Sequence, residues 1–193
     1  MQDFWDSVAD ARRVLVVTGA GISAPAGLPT YRDPKSTEWV QADLERMSHK
    51  TRYGSYLEPL WRHWWELIDA ARAAEPTVAH YALTAWQRRL RETGGEMLLV
   101  TQNIDGLHQR AGAEVIEFHG TLMTSIDMRK RRTFPTPERG DSYEPPLAPS
   151  GGRKVRPDVV LFGERPAPAA QKAVGFSGSG SCLSPSVRRT VRP

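Results

Sequence analysis

Apolar positions along the chain change period several times, and each change predicts an element. Phe4, Trp5, Val8 and Ala11 recur at helical spacing, after which Val14, Leu15, Val16 and Val17 form an unbroken apolar run ending at Thr18. A short continuous run bounded by a turn predicts a strand buried on both faces. The turn is Gly19-Ala20-Gly21-Ile22-Ser23, too rich in glycine to continue either element. Between Tyr53 and Ala74, the residues Tyr56, Leu60, Trp64, Leu67, Ile68 and Ala71 fall near one helical face. Pro76 can open a second helix carrying Ala79, Leu83, Trp86 and Leu90, which Gly94-Gly95 ends.

Met97 to Val100 predict a second buried strand, and Val115, Ile116 and Phe118 a third. Pro135, Pro137, Pro145, Pro146 and Pro149 make the stretch from Thr133 to Gly152 a predicted loop or open insertion. Val159 to Phe162 form a last extended apolar run. After Glu164 glycine, serine, proline and arginine take over, and that composition predicts no packed structure.

The three buried strands end in Thr18-Gly19, Thr101-Gln102-Asn103 and His119-Gly120. Strands alternating with helices imply an α/β fold built on a Rossmann-like parallel sheet, here with a small helical and loop insertion. Ligands of such sheets bind in the crevice at the carboxyl ends of the strands, where these polar residues would meet.

Length and composition narrow the function classes. A chain of 193 residues with 39% hydrophobic residues holds one ordinary domain. No apolar run approaches a membrane span, and Met1 to Arg13 lacks the apolar stretch of a signal peptide, so a soluble, cytoplasmic protein with no membrane partner is expected. The one cysteine, Cys182, cannot build a disulfide framework or a multi-thiolate zinc site. Ser125 to Pro193 hold 13 basic against 6 acidic residues, but without interleaved aromatics or a recognition helix. No nucleic-acid partner is expected, and nothing in the pattern speaks to oligomeric state.

The first glycine turn has three readings. Gly19 and Gly21 lack side chains, so a diphosphate could approach their backbone closely. Gly19, Gly21 and Ala24 also fit the G-x-G-x-x-A pattern of nicotinamide-dependent dehydrogenases, with Glu38 near the place of a ribose-binding acid. Against that stand Pro25 and Pro29, which interrupt the helix such a fold needs. A tight turn with no ligand is the third.

Further motifs follow in order: G-A-G-I-S with A-P-A-G-L-P-T-Y-R-D, then T-Q-N-I-D-G-L-H, E-F-H-G, and R-P-D-V-V-L-F-G-E. Over Val14 to Glu164 the chain resembles a sirtuin, an NAD-dependent protein lysine deacylase. The resemblance implies that Gly19, Ala20, Gly21, Ile22, Ser23, Tyr31 and Arg32 line the NAD phosphates and ribose, Tyr31 standing where many sirtuins have Phe. It implies that Gln102, Asn103, Ile104 and Asp105 surround the nicotinamide and its ribose, with Asn103, Asp105 and His119 catalytic. His119 would be the general base, a task suited to an imidazole near its ordinary pKa. The substrate would be an acylated lysine side chain on a protein. Its acyl group would pass to ADP-ribose as nicotinamide is released. Val159, Val160, Leu161, Phe162 and Gly163 would offer an edge to which the substrate peptide adds as a strand.

Two departures from the family pattern matter. Where most sirtuins carry two Cys-x-x-Cys pairs, this chain has Asp127, Lys130, Leu147 and Ser150, so no metal is expected there. Residues 165–193 lack the Gly-Thr-Ser motif and adenosine-side strands that the resemblance calls for. The expected organisation is a partial catalytic domain over 1–164, its small-domain segments at about 33–75 and 121–155, with a tail beyond it and an incomplete sheet. A truncated or altered sirtuin acting only as an acyl-peptide or NAD binding module is the alternative, and an oxidoreductase a more distant one.

Overall fold

A computed structural model describes residues 11–30, 38–149, 151–166 and 181–183, with backbone alone for 38–42 and 181–183. The helix predicted around Phe4, Trp5 and Val8 lies outside the described residues, as do Tyr31, Arg32 and Ser150.

Strand β1 (Arg13–Thr18) follows the first apolar run and leads into two single 3-10 turns, Ala20–Ile22 and Ala24–Ala26. Helix α1 spans Glu38–Met47, and α2 spans Leu57–Ala73 after a 3-10 turn at Tyr53–Tyr56. Helix α3 is Val78–Glu92, capped at Thr77, and β2 is Glu96–Thr101. A single-turn helix α4 (Leu107–Arg110) separates β2 from β3 (Val115–Glu117). Then come β4 (Gly120–Asp127), β5 (Arg132–Pro135), β6 (Arg156–Val159) and β7 (Ser181–Leu183).

The first sheet has the order β3-β2-β1-β7 and is parallel throughout. Its unbroken apolar runs are explained by cover on both faces. Val14, Val16, Met97 and Leu99 pack with Leu90, Leu83 and Trp86 of α3, while Leu15 and Val100 face a second cluster with Ile116 and Phe118. Gln87 of α3 pins the start of β3, its side chain donating to the Glu114 carbonyl at 2.7 Å and accepting from the Glu114 amide at 2.9 Å.

Three expectations are corrected. The insertion is more than helix and loop: it contains a three-stranded antiparallel sheet of order β5-β4-β6. Its middle strand evades the period-2 rule because the register shifts between Thr121 and Ser125, and because inward polar residues are satisfied locally. Ser125 and Thr136 share a hydroxyl hydrogen bond of 2.9 Å, and Thr136 donates to the Leu122 carbonyl at 2.8 Å. Second, Pro135 and Pro157 do not prevent strands, since both lie on the two edges of that sheet, where a missing amide costs no ladder bond. The extended run expected at Val159 to Phe162 is displaced to Arg156–Val159. Third, Ser181–Leu183 in the tail pairs with β1, Leu15 opposite Cys182. The backbone of a buried strand seeks partners whatever side chains they carry.

Helix α2 covers this second sheet with Leu60, Trp61, Trp64, Trp65 and Ile68, which pack on Leu122, Val155, Val159 and Leu161. The Trp61 ring meets Trp64 edge-on at 5.6 Å and Trp65 at 4.9 Å. Its indole N–H donates to the Val155 carbonyl, and that of Trp65 to the Glu144 carbonyl at 3.0 Å. Burying a ring of that size stabilises by about 5 kcal/mol at the usual value per unit area, and the satisfied N–H keeps that gain.

Candidate active site between the two sheets

The carboxyl ends of β1, β2 and β3 converge beside the second sheet. Past Thr18, the carbonyl accepts the Gln102 amide at 2.9 Å, and the Phe118 amide donates to the Thr101 carbonyl at 2.8 Å, so the ladder holds all three strand ends in register. At Gly19 and Gly21 a side chain would meet nothing within 4 Å, so the turn faces open space. The Ala20 and Gly21 amides make no hydrogen bond among the described residues, leaving two donors free for an anion.

Ser23 is the hub of the polar cluster. It is buried, its hydroxyl donates to Asp105 Oδ2 at 2.7 Å, and it accepts from Asn103 Nδ2 at 3.0 Å. The other Asp105 oxygen accepts the Leu107 amide at 3.0 Å, which starts α4. Asn103 is fixed from behind as well, its amide donating to Thr101 Oγ1 at 3.1 Å. Ser23, Asn103 and Asp105, distant in sequence, are thus one bonded unit.

Ile22 joins it through its carbonyl, which accepts from Thr77 Oγ1 at 3.1 Å. Gln102 is exposed at the strand end. Ile104 takes a different part: its side chain packs against the second core, and its carbonyl accepts the Leu122 amide at 3.0 Å, tying one sheet to the other.

His119 stands at the junction. Its imidazole is half-buried and lies edge-on to Phe118 at 5.0 Å, and burial holds its pKa below the ordinary histidine value. The next residue must be glycine. Gly120 has φ of 76°, and a Cβ there would lie 2.0 Å from the Asp158 carbonyl oxygen, so β4 and β6 could not close around His119.

The predicted substrate edge is only partly open. Val159 pairs with Gly120, the Val160 amide donates to the His119 carbonyl at 2.8 Å, and Leu161 is buried. Phe162 is pinned on both sides, donating to the Ser48 carbonyl at 3.1 Å and accepting the Lys50 amide at 2.9 Å. Among the described residues, the Val160 carbonyl and the Gly163 peptide groups have no backbone partner, while the Leu161 amide and the Val159 carbonyl are taken by the side chains of Glu164 and Arg156. Arg156 and Glu164 brace the turn: the guanidinium meets both carboxylate oxygens at 2.9 and 3.1 Å, and the carboxylate accepts the Leu161 amide at 2.9 Å.

Several residues of the site were given no role in sequence reading. His80 and His108 are buried polar groups behind the glycine turn, beside Thr18. Glu117, just before Phe118, is pushed above the usual carboxylate range by burial and by nearby Asp105 and Asp158, against hydrogen bonds from Thr121 and Gln109. No periodicity marks such residues; the one available signal was the helix start at Thr77, three residues before His80.

Where the resemblance places the first zinc thiol, Asp127 Oδ1 accepts the amides of Arg129 and Lys130 at 3.0 and 3.2 Å, closing the turn between β4 and β5 with a carboxylate. At the second pair, Leu147 bridges to Lys154. Among the described residues no group of three or more metal-binding side chains occurs.

The sequence profile of the Sir2 family matches residues 19–179. An NAD-dependent protein deacylase of Thermus thermophilus is 42% identical over 156 residues, covering 80% of this chain and 60% of that protein. One from Deinococcus radiodurans is 38% identical over 159 residues, covering 80% and 63%. The chain therefore spans about three fifths of the length of these curated relatives. Among solved structures, a Sir2 homologue mutant in complex with ADP-ribose superimposes with a TM-score of 0.82 at 26% identity, over 95% of this chain and 73% of that one. A Sir2 homologue bound to NAD gives 0.80 at 28% identity, over 95% and 71%.

Proposed function

The chain belongs to the Sir2 family, and from that premise we propose that it serves as an NAD-dependent protein lysine deacylase, its substrate an acylated lysine side chain of a protein and its acyl acceptor ADP-ribose. The observation that carries this reading is the bonded unit of Ser23, Asn103 and Asp105 between an open glycine turn and a half-buried imidazole.

The residues fit the dinucleotide. Open space over Gly19 and Gly21, with the unbonded amides of Ala20 and Gly21, suits a diphosphate. Ile22 and Ser23 continue that wall, and Tyr31 and Arg32 are proposed to complete it. Asp105 and Asn103, with Gln102 and Ile104 alongside, would hold the carboxamide and ribose of the nicotinamide half. When bound, NAD supplies a ribose carbon from which nicotinamide leaves and the hydroxyl that takes over the acyl group.

The chain's own residues then have separable tasks. His119, neutral at physiological pH because burial disfavours its cation, takes the hydroxyl proton. The Val160 carbonyl and Gly163 offer backbone bonds to the substrate peptide, with buried Val159 and Leu161 shaping the run from behind and Phe162 exposed beside it. Ser23 orients both Asn103 and Asp105, so its hydroxyl sets the geometry without touching the acyl group. The boundaries proposed for this unit are 1–164, with small-domain segments at about 33–75 and 121–155. No helix among the described residues is long and apolar enough to cross a membrane, and a cytoplasmic location is proposed.

The test is nicotinamide release from NAD by the purified chain, measured with and without an acetyl-lysine peptide, beside a His119→Ala control. Peptide-dependent release that the substitution abolishes supports the reading. Binding of the acyl peptide with no release would make the chain a binding module, and NAD reduction in place of cleavage would make it an oxidoreductase.

A further inference from the structure

Behind the glycine turn, two buried ring nitrogens have no partner among the described residues: Nε2 of His80 and Nδ1 of His108. Both residues are inaccessible, at 0% and 1% exposure, and their rings cross with centroids 4.6 Å apart at 62°. On its outer side each ring is bonded. The Thr77 amide donates to His80 Nδ1 at 3.1 Å, and His108 Nε2 lies 2.9 Å from Thr18 Oγ1.

The tautomers follow from these contacts. A backbone amide can only donate, so His80 Nδ1 is bare and the proton of the neutral ring sits on Nε2, facing His108. Were His108 protonated on Nδ1, a water between the rings would accept from both and have to place its own two hydrogens among buried groups. With His108 protonated on Nε2, the bare Nδ1 accepts and Nε2 donates to Thr18.

We propose that His80 and His108 form a one-way donor chain, Thr77 amide to His80 to His108 to Thr18, closed across the inner nitrogens through one buried water, and that it positions the glycine-rich turn. Its two ends hold that turn at two points. Thr18 is the root of the turn, and its carbonyl anchors Gln102. Thr77 reaches the middle: its hydroxyl has one proton and two acceptors, the Ile22 carbonyl at 3.1 Å and His80 Nδ1 at 2.8 Å. Neither histidine touches the open face, so both are positioning residues.

The chain needs both rings neutral. Burial lowers both pKa values, that of His108 to about 4 with help from His80, and Asp105 is the one carboxylate pulling the other way.

The first test is long-range nitrogen–proton correlation NMR of the imidazoles in the full labelled chain. Both rings are expected as neutral Nε2–H tautomers at about pH 7 and above, and His108 still so at about pH 5.5. An Nδ1–H tautomer at either ring, or titration of His108 above about pH 5.5, overturns the proposal. The second rests on the deacylase reading: His108→Leu should raise the KM for NAD about tenfold while the KM for acyl-peptide stays nearly constant, and His108→Gln, which can still donate to Thr18, should recover most of the loss. A leucine variant that lowers kcat alone, or a glutamine variant no better than leucine, overturns it. If His108→Leu fails to fold, Thr77→Ala takes its place, with the same KM split expected and an unchanged KM for NAD counting against the chain. The NMR result does not depend on turnover, so an inactive chain showing both tautomers would defeat the deacylase reading and leave this one standing.

Discussion

Replacing Glu164 by alanine should destabilise the fold far more than a surface charge would. The carboxylate is the counter-ion of Arg156, whose side chain is 6% exposed against 24% for Glu164 itself, and it also satisfies the Leu161 amide. Removing one member of a buried pair costs about 3–5 kcal/mol, because the charge left behind is uncompensated. Partial water access to Glu164 reduces that to about 2, and the orphaned Leu161 amide adds about 1. The expected loss is therefore about 3 kcal/mol for Glu164→Ala. Glu164→Gln keeps an acceptor for the guanidinium and the amide and should lose about 1. Arg156→Met combined with Glu164→Leu should recover most of the alanine loss, since an apolar pair leaves no buried charge.

Urea unfolding followed by tryptophan fluorescence measures all three, since Trp61, Trp64 and Trp65 sit in the adjoining core. An alanine variant within about 1 kcal/mol of the parent, or a glutamine variant equal to alanine, would show that the pair is solvated and the reasoning wrong.

Other expectations follow from the site. His119→Ala should lower deacylation by about 10²–10⁴-fold with NAD affinity little changed, by turnover and calorimetry. Because burial lowers the His119 pKa from 6.5, activity should hold through neutral pH and decline only on the acid side of that value; a midpoint above it would refute the assignment. Gly120→Ala should cost at least about 3 kcal/mol in thermal unfolding, from the clash with Asp158 and the left-handed backbone together. Folding stability should fall by up to about 3 kcal/mol as pH drops from 6.5 towards 4, since the unfolded chain protonates its histidine while the folded His108 resists until about 4. His108→Gln should flatten that slope.

The parallel sheet was legible because burial on both faces leaves unbroken apolar runs, as at Val14 to Val17 and Met97 to Val100. The carboxyl end of that sheet was legible as a candidate site for a related reason: each run stops at the polar residues it presents. The second sheet was not. Its middle strand buries Thr121, Ser125 and Asp127, the first and last satisfied by amides two or three residues on and Ser125 by Thr136 of the neighbouring segment, so hydrophobicity gives no period there. The last strand was placed too far along the chain for a similar reason. Apolar residues from Val159 to Phe162 suggested one continuous strand, whereas the backbone changes partners at nearly every residue.

The seam between α2 and the second sheet bears on how the chain folds in time. Trp61 meets Val155 across 94 residues, and Lys154 pairs with Glu58 across 96. Neither half of that lobe can bury its apolar face until the other has been made, so its core forms only once synthesis has passed Leu161 and most of the parallel sheet is already available. Closing so long a loop before any contact rewards it makes this the slow phase of folding. The tryptophan cluster should report it as a late fluorescence change, after α3 has docked on β1 and β2. The same dependence means that the lobe can be exchanged between relatives only if both of its segments move together.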